Sequence, residues 1–301
     1  MSRDAMNRRT FLETTLGSAA AISAGALLSG QRLWAAGEHK IDKVDVQLYT
    51  VRDLMKTDFD GTVAKVASIG YKEVEFAGYF GKTPKEVRAV LEKNGITSPS
   101  CHVPYDVLAP DKWQAQLESA KVIGQEYIIN PWIPEDQRKT DDDWKRATDT
   151  FNRAGEESKK AGIQFGYHNH WFEFMPVNGK LPYDIILSMC DKDLVKMELD
   201  LCWITVAGKD PLTYFDRYPG RFPLVHVKDL KKIPPITTGG AQNFGDTVDL
   251  TEVGSGIIDW KRIFAQSEKA GIKHYVVEHD HPKQPFESIT GSYKYLTALR
   301  W

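Results

Sequence analysis

A cadence recurs along this chain: an amphipathic helix ends in a glycine, and a short apolar strand follows at once. The joints are Ile69-Gly70-Tyr71, Asn94-Gly95-Ile96, Ile123-Gly124-Gln125, Ala161-Gly162-Ile163 and Ala270-Gly271-Ile272. Glycine suits the left-handed position that terminates a helix. Strands that alternate with helices in this way imply βα units and a parallel sheet. The pattern predicts eight strands, near 43–49, 71–76, 96–103, 126–130, 163–168, 195–200, 223–228 and 274–279. Helices fit near 59–69, 84–94, 111–123, 141–161, 182–190, 210–218, 259–269 and 285–299. Thr83-Pro84, the Asp141–Asp143 run and Asp210-Pro211 mark helix starts. Eight units over about 250 residues match a (β/α)8 TIM barrel in a single domain. An open doubly wound sheet is the alternative, but no GxGxxG follows the first strand. The longest irregular piece, Lys231 to Ser255, follows the seventh strand, where barrel active-site loops lie.

Four strands in the second half end in residues that bind metals. They are Ile163–His170 with Glu173 just beyond, Val195–Asp200, Leu224–Val227 and His274–Glu278. The ligand candidates are His168 or Glu173, then Asp200, His226 and Glu278. Alternation points Glu198 and Asp200 to one side of their strand and Leu199 to the other. A carboxylate or imidazole at the end of an apolar strand is costly unless something satisfies it. Singly, His226 reads as a hydrogen-bonded core histidine and Glu278 as a salt-bridge partner. Together, on successive strands of one barrel, they read as a divalent-metal site. Mixed carboxylate and imidazole sets suit Mn²⁺, Zn²⁺, Fe²⁺ or Co²⁺. Secondary candidates on the early strands are Gln47, Tyr49, Arg52, Glu75 and His102. Trp132, Trp171 and Trp203 are candidates to stack on a ligand ring.

The first 36 residues read differently. Arg8-Arg9-Thr10-Phe11-Leu12 precedes a weakly apolar stretch from Thr14 to Ser29, and Trp34-Ala35-Ala36 offers small residues for cleavage. The segment resembles a twin-arginine (Tat-type) signal peptide over 1–36, which leaves a mature domain over 37–301 and implies a periplasmic location. The stretch is short against the roughly 20 apolar residues of a membrane span, so no stable membrane anchor is expected after cleavage. Without it, 39 basic and 41 acidic residues fall to 35 and 39. That balance argues against nucleic-acid binding, which runs on excess Lys and Arg. Cys101, Cys190 and Cys202 have no metal-site or CxxC spacing and read as buried small residues.

The motifs Tyr167-His168-Asn169-His170-Trp171-Phe172-Glu173-Phe174, Glu198-Leu199-Asp200, His226-Val227-Lys228-Asp229, Gly254-Ser255-Gly256-Ile257-Ile258-Asp259-Trp260 and Val277-Glu278 carry a resemblance. The chain resembles the xylose isomerase-like TIM barrels of the sugar phosphate isomerase/epimerase group, over essentially all of the mature domain. The resemblance implies a divalent metal, most often manganese, held by Glu, Asp, His and Glu from the last four strands. Asp200, His226 and Glu278 match the last three. The fifth strand departs: His168 stands where many relatives have Glu, so either His168 is the ligand or Glu173 folds back to replace it. The implied chemistry is proton abstraction next to a sugar carbonyl with a metal-stabilised enediolate. Glu278 is one acid/base candidate, and Glu173, His168 or His170 the other. Lys228 would steady an oxyanion or form a salt bridge. A metal-dependent sugar or keto-sugar isomerase/epimerase is the leading expectation. A lyase or dehydratase acting on a 3-keto-glycoside or keto-inositol is the alternative. An abasic-site endonuclease would need many more His ligands, and a sugar-binding barrel without catalysis would need no acid/base group. Gly254-Ser255-Gly256 offers only a weak phosphate cradle. The expected partners are a small sugar or keto-sugar and, with the question left open, further copies of the chain in a homo-oligomer.

Overall fold

The computed structural model describes residues 39–235 and 245–301. The expected export segment over residues 1–36, and part of the long loop after the seventh strand, lie outside the described residues. Among the described residues ten strands form in chain order: β1 (Asp45–Gln47), β2 (Glu73–Phe76), β3 (Thr97–His102), β4 (Tyr127–Asn130), β5 (Gln164–His168), β6 (Val195–Asp200), β7 (Leu224–Val227), β8 (Asp229–Leu230), β9 (Leu250–Thr251) and β10 (His274–Val277). Eight of them close a parallel barrel in the order β1-β10-β7-β6-β5-β4-β3-β2. The closing joint is β1 against β10, with Asp45 opposite Val276. The (β/α)8 barrel expected from the cadence is the fold that forms.

Local chemistry explains the boundaries. Helix Pro84–Asn94 starts in a capping box, with the Thr83 side chain accepting from the Glu86 N–H and Glu86 accepting from the Thr83 N–H. It ends at Gly95 in the left-handed region (φ 63). The first strand is shorter than expected. The Gln47 side chain accepts from the Tyr49 N–H at 3.0 Å and turns the chain into a 3-10 turn, Leu48–Val51. The helix expected over 259–269 divides into Trp260–Phe264 and Ser267–Ala270, because Gln266 (φ −105, ψ 11) leaves helical geometry.

The seventh unit carries an addition the sequence did not announce: β8 and β9 pair antiparallel. Asp229 fastens the turn beyond this pair. Its Oδ2 accepts from the Gly254 N–H (2.9 Å), the Gly256 N–H (3.2 Å) and the Trp260 indole N–H (3.0 Å). The backbone donors of the glycine pair therefore serve a carboxylate of the chain itself, and the weak phosphate-cradle reading of that segment falls. A Cβ at Gly256 would lie 2.1 Å from Asp229 Oδ1, so only glycine fits.

Strand alternation divides the packing. Outward residues such as Val46, Val74, Ile128, Phe165, Met197 and Val225 join the core beneath the helices. Inward, Tyr127, Ile129 and Leu224 form a separate apolar cluster. Gly166 leaves room for it, since a Cβ there would meet Ile129 Cδ1 at 2.5 Å. The barrel axis is thus a packed plug. Polar residues gather beyond it at both ends of the strands.

A candidate metal centre at the barrel mouth

The strand C-termini place a group of imidazoles and carboxylates above the apolar plug. His102 ends β3, His168 ends β5, Glu198 and Asp200 lie on β6, and His226 lies on β7. Glu75 comes from β2, and Lys228 and Glu278 follow β7 and β10 directly. Glu75, His168, Glu198, Asp200, His226, Lys228 and Glu278 are all buried. Two sets of ligand atoms each lie within 4.8 Å of one another: His102, His168, Glu198 and His226, and Asp200, His226 and Glu278.

His226 joins the two sets. Its Nε2 lies 2.9 Å from Glu75 Oε1 and 3.2 Å from Glu198 Oε2, and its Nδ1 lies 2.8 Å from Glu278 Oε2. Glu198 Oε2 also lies 2.6 Å from His102 Nε2 and 3.1 Å from His168 Nδ1. Gln47 Nε2 donates to Glu75 Oε1 at 2.7 Å. In the second set, the Lys228 ammonium lies 2.6 Å from Glu278 Oε2, 3.1 Å from Asp200 Oδ2 and 3.1 Å from Asp280 Oδ2. Asp200 serves two tasks. Its Oδ1 caps the following helix by accepting from the Cys202 and Trp203 N–H groups at 2.9 and 2.8 Å. That leaves Oδ2 for Lys228.

The electrostatics divide these groups into two kinds. Burial pulls the His102 imidazolium down, but the Glu75 and Glu198 carboxylates outweigh it and hold its pKa at about 9. Burial likewise opposes charge on His226 and Lys228, and their carboxylate partners raise both well above the ordinary range. His168 and His170 behave oppositely: burial, and then neighbouring positive charge, push both well below the ordinary imidazole value. Burial also lifts Asp200 to about 6, against the pull of Lys228 and His226.

The donor set fits a divalent cation. Glu75 Oε2 and Glu198 Oε1 are buried with no hydrogen-bond partner among the described residues. Unsatisfied carboxylate oxygens beside three converging imidazoles are costly unless a cation takes them up. His102, His168, Glu198 and His226 would hold it, with Glu75 behind, or Asp200 and Glu278 on the other side of His226.

One sequence expectation changes here. Glu173 does not fold back into the group. Its Oε1 accepts from the Tyr167 hydroxyl at 2.6 Å and its Oε2 from the His170 N–H at 2.8 Å. It is a buried anchor for the loop after β5, and His168 occupies the fifth-strand position in the ligand set. His170 lies outside both ligand sets and lines the cavity, with Nδ1 buried and unpartnered among the described residues. Lys228 forms the expected salt bridges and also lines the cavity. Glu198 joins the first candidate set although Asp200, not Glu198, closes its strand. Its same-side alternation with Asp200 was the available signal.

Above the group opens a cavity of about 680 Å³. Its walls are aromatic, including Tyr49, Tyr105, Trp132, Trp171 and Trp203, and its polar floor includes His102, His168, His170 and Lys228. Tyr49 and Trp132 are 37% and 40% exposed, with the Arg52 guanidinium 4.0 Å from the Tyr49 ring centre and that of Arg138 4.1 Å from the Trp132 ring centre. Arg52 turns aside and donates to the Asp280 carbonyl at 2.7 Å. Among the described residues, one lysine and no arginine line the cavity. The three cysteines are buried and unbridged, and no described helix is long and apolar enough to cross a membrane.

A parallel barrel whose strand ends gather metal-ligand side chains beneath an aromatic cavity is a TIM barrel of the enzyme type, built to act on a small molecule. The chain belongs to the xylose isomerase-like TIM barrel family, whose sequence profile matches residues 63–299. It is 24% identical over 273 residues to an inosose dehydratase of Lacticaseibacillus casei, covering 80% of this chain and 89% of that protein. An inosose dehydratase of Geobacillus kaustophilus is 26% identical over 234 residues, covering 69% and 75%. A sugar phosphate isomerase/epimerase from Parabacteroides distasonis superposes with a TM-score of 0.71 at 26% identity, covering 89% and 96%. The IolI protein, solved with a bound zinc atom, shares the fold with a TM-score of 0.65 at 15% identity, covering 84% and 95%.

Proposed function

We propose that the protein is a metal-dependent lyase of the dehydratase kind that acts on an unphosphorylated cyclic keto-sugar or keto-inositol. The observation that carries this is the pairing, at one cavity floor, of a neutral imidazole with the Lys228 ammonium. His170 and Lys228 line the same cavity, and Lys228 is held by three carboxylates. Similarity to dehydratases of an inosose supports the reaction class. The arginine-free cavity lining supports an uncharged ring, because phosphates are commonly met by Arg clusters.

A divalent metal, manganese by expectation, with zinc, iron or cobalt compatible, would supply Lewis-acid polarisation of the substrate carbonyl. The chain's own residues do the rest. The aromatic walls hold the ring and exclude water. His170 takes the proton next to the carbonyl, since a neutral imidazole is the better base. Lys228 donates a hydrogen bond to the oxygen where charge develops. Glu278, ionised under the pull of Lys228 and His226 despite its burial, keeps Lys228 aimed. The imidazolium then returns its proton. Delivered to the oxygen on the β-carbon as that C–O bond breaks, it completes an elimination with loss of water or an alcohol; delivered to the neighbouring carbon, it completes an isomerisation. Isomerase/epimerase is therefore the second reading, and the Parabacteroides distasonis neighbour favours it.

Turnover of a keto-inositol or 3-keto-glycoside in D₂O, followed by NMR, separates the two. Release of water or an aglycone is expected, with kcat lowered about 10²–10⁴-fold in His170→Ala, the usual size of a general-base contribution. Deuterium exchange with every atom of the substrate retained would instead assign an isomerase. Full activity in His170→Ala would remove its role as the base.

A further inference from the structure

The opposite end of the barrel carries a second group of charged side chains. Asp45 on β1, Glu73 on β2 and His274 on β10 come from three neighbouring strands, with Asp45 directly opposite Glu73. Each precedes an inward-facing residue by two positions, which places all three inside the barrel at the N-terminal end of the strands. His274 Nδ1 lies 2.9 Å from Asp45 Oδ2 and 3.3 Å from Glu73 Oε2. One atom from each residue falls within 4.8 Å of the other two. On β10, buried Val276 separates His274 from Glu278, so the group is distinct from the mouth centre. The Tyr127 ring of the apolar plug packs edge-on against His274 at 5.7 Å.

A salt bridge alone does not satisfy this group. Asp45 is 1% exposed, and its Oδ1 is buried with no hydrogen-bond partner among the described residues. One imidazole nitrogen faces two carboxylates at once, so a single proton on Nδ1 serves both imperfectly. Lys43 reaches Glu73 from outside, with its ammonium 2.6 Å from Oε1, and its side chain is 61% exposed. It neutralises one oxygen of Glu73 and leaves Oε2 facing His274 and Asp45.

We propose that Asp45, Glu73 and His274 form a second divalent-cation site at the N-terminal pole of the barrel, which staples its first, second and last strands. Two carboxylates and one imidazole are a ligand set for zinc, manganese or cobalt, with solvent to complete the shell. A cation there would replace the shared imidazole proton, engage the orphaned Asp45 oxygen and join the strands where the barrel closes. Its role is structural, since the apolar plug keeps it from substrate. Binding releases protons, so loading should be favoured as pH rises.

The test uses the full-length protein, stripped with chelator and reloaded with Zn²⁺ alone at two equivalents per chain. Anomalous diffraction at the zinc edge should show a peak among Asp45, Glu73 and His274, separate from any at the mouth. Metal analysis after desalting should show that Asp45→Asn loses one ion per chain, keeps its turnover and gains less in thermal midpoint on loading than the wild type. His226→Gln should keep the ion at the pole. If Asp45→Asn does not fold, Glu73→Gln and the wild-type anomalous map decide the question. No peak at the pole, or equal metal content and equal midpoint gain in the wild type and the pole variants, would overturn the proposal.

Discussion

Glu173 shows what a single residue's neighbours decide. From its position three residues past His170 it reads as a carboxylate free to return to the strand end. Its tertiary partner, the Tyr167 hydroxyl, is what fixes it elsewhere. Spacing cannot reveal that hydrogen bond, because it depends on the turn Phe172–Phe174 bending back over β5. Asp200, His226 and Glu278 were legible because each lies at or just beyond the end of an apolar strand. Glu198 was not, because Asp200 follows it on the same side and claims the reading. Two outcomes separate an anchor from a ligand. Glu173→Ala should leave metal content unchanged while exposing two buried donors, at a cost of about 1–3 kcal/mol for each. Burial also raises the Glu173 pKa from 4.5 to about 7 against its hydrogen bonds. The folded state therefore favours its protonated form. Its contribution to stability is fully present below 4.5 and is lost as pH rises through 7. Glu173→Gln should flatten the fall in thermal midpoint over that window, measured by denaturation of the metal-free protein at stepped pH.

Among the elements, the segment between β7 and the helix Trp260–Phe264 departs furthest from a plain βα unit. Its glycines and the Asp229 that follows His226-Val227-Lys228 were visible as a motif. That the carboxylate gathers the Gly254 and Gly256 N–H groups and the Trp260 indole was not, since those donors lie 25 to 31 residues away. The helix cadence was legible because capping and glycine termination are local. The β8–β9 pair was missed because two-residue strands leave no periodicity to read. Gly256→Ala tests the hub, because its Cβ must displace Asp229 Oδ1 or the Leu230 carbonyl, the latter 2.5 Å away. Overpacking of this kind costs about 1–3 kcal/mol. Denaturant titration should show that loss, whereas alanine at Gly81, which has no heavy atom within 4 Å of its built Cβ, should bring only backbone strain.

The whole molecule puts polar groups at both ends of a packed axis, and that division follows from strand alternation interrupted by Tyr127, Ile129 and Leu224. Barrel closure was legible from the number of units; the charged lower pole was not, because Asp45, Glu73 and His274 are 28 to 229 residues apart pairwise in the chain. Arg8 and Arg9 lie outside the described residues, and export by the twin-arginine route remains our proposal. Replacing both arginines with lysine should hold the full-length chain in the cytoplasm of a cell that otherwise exports it, as read by fractionation. The plugged axis has a further consequence. Substrate, product and any expelled fragment must share one doorway, so traffic through the aromatic mouth is strictly two-way. A bulky leaving fragment that lingers there would bar the next arrival, and each turnover would have to end with the threshold cleared.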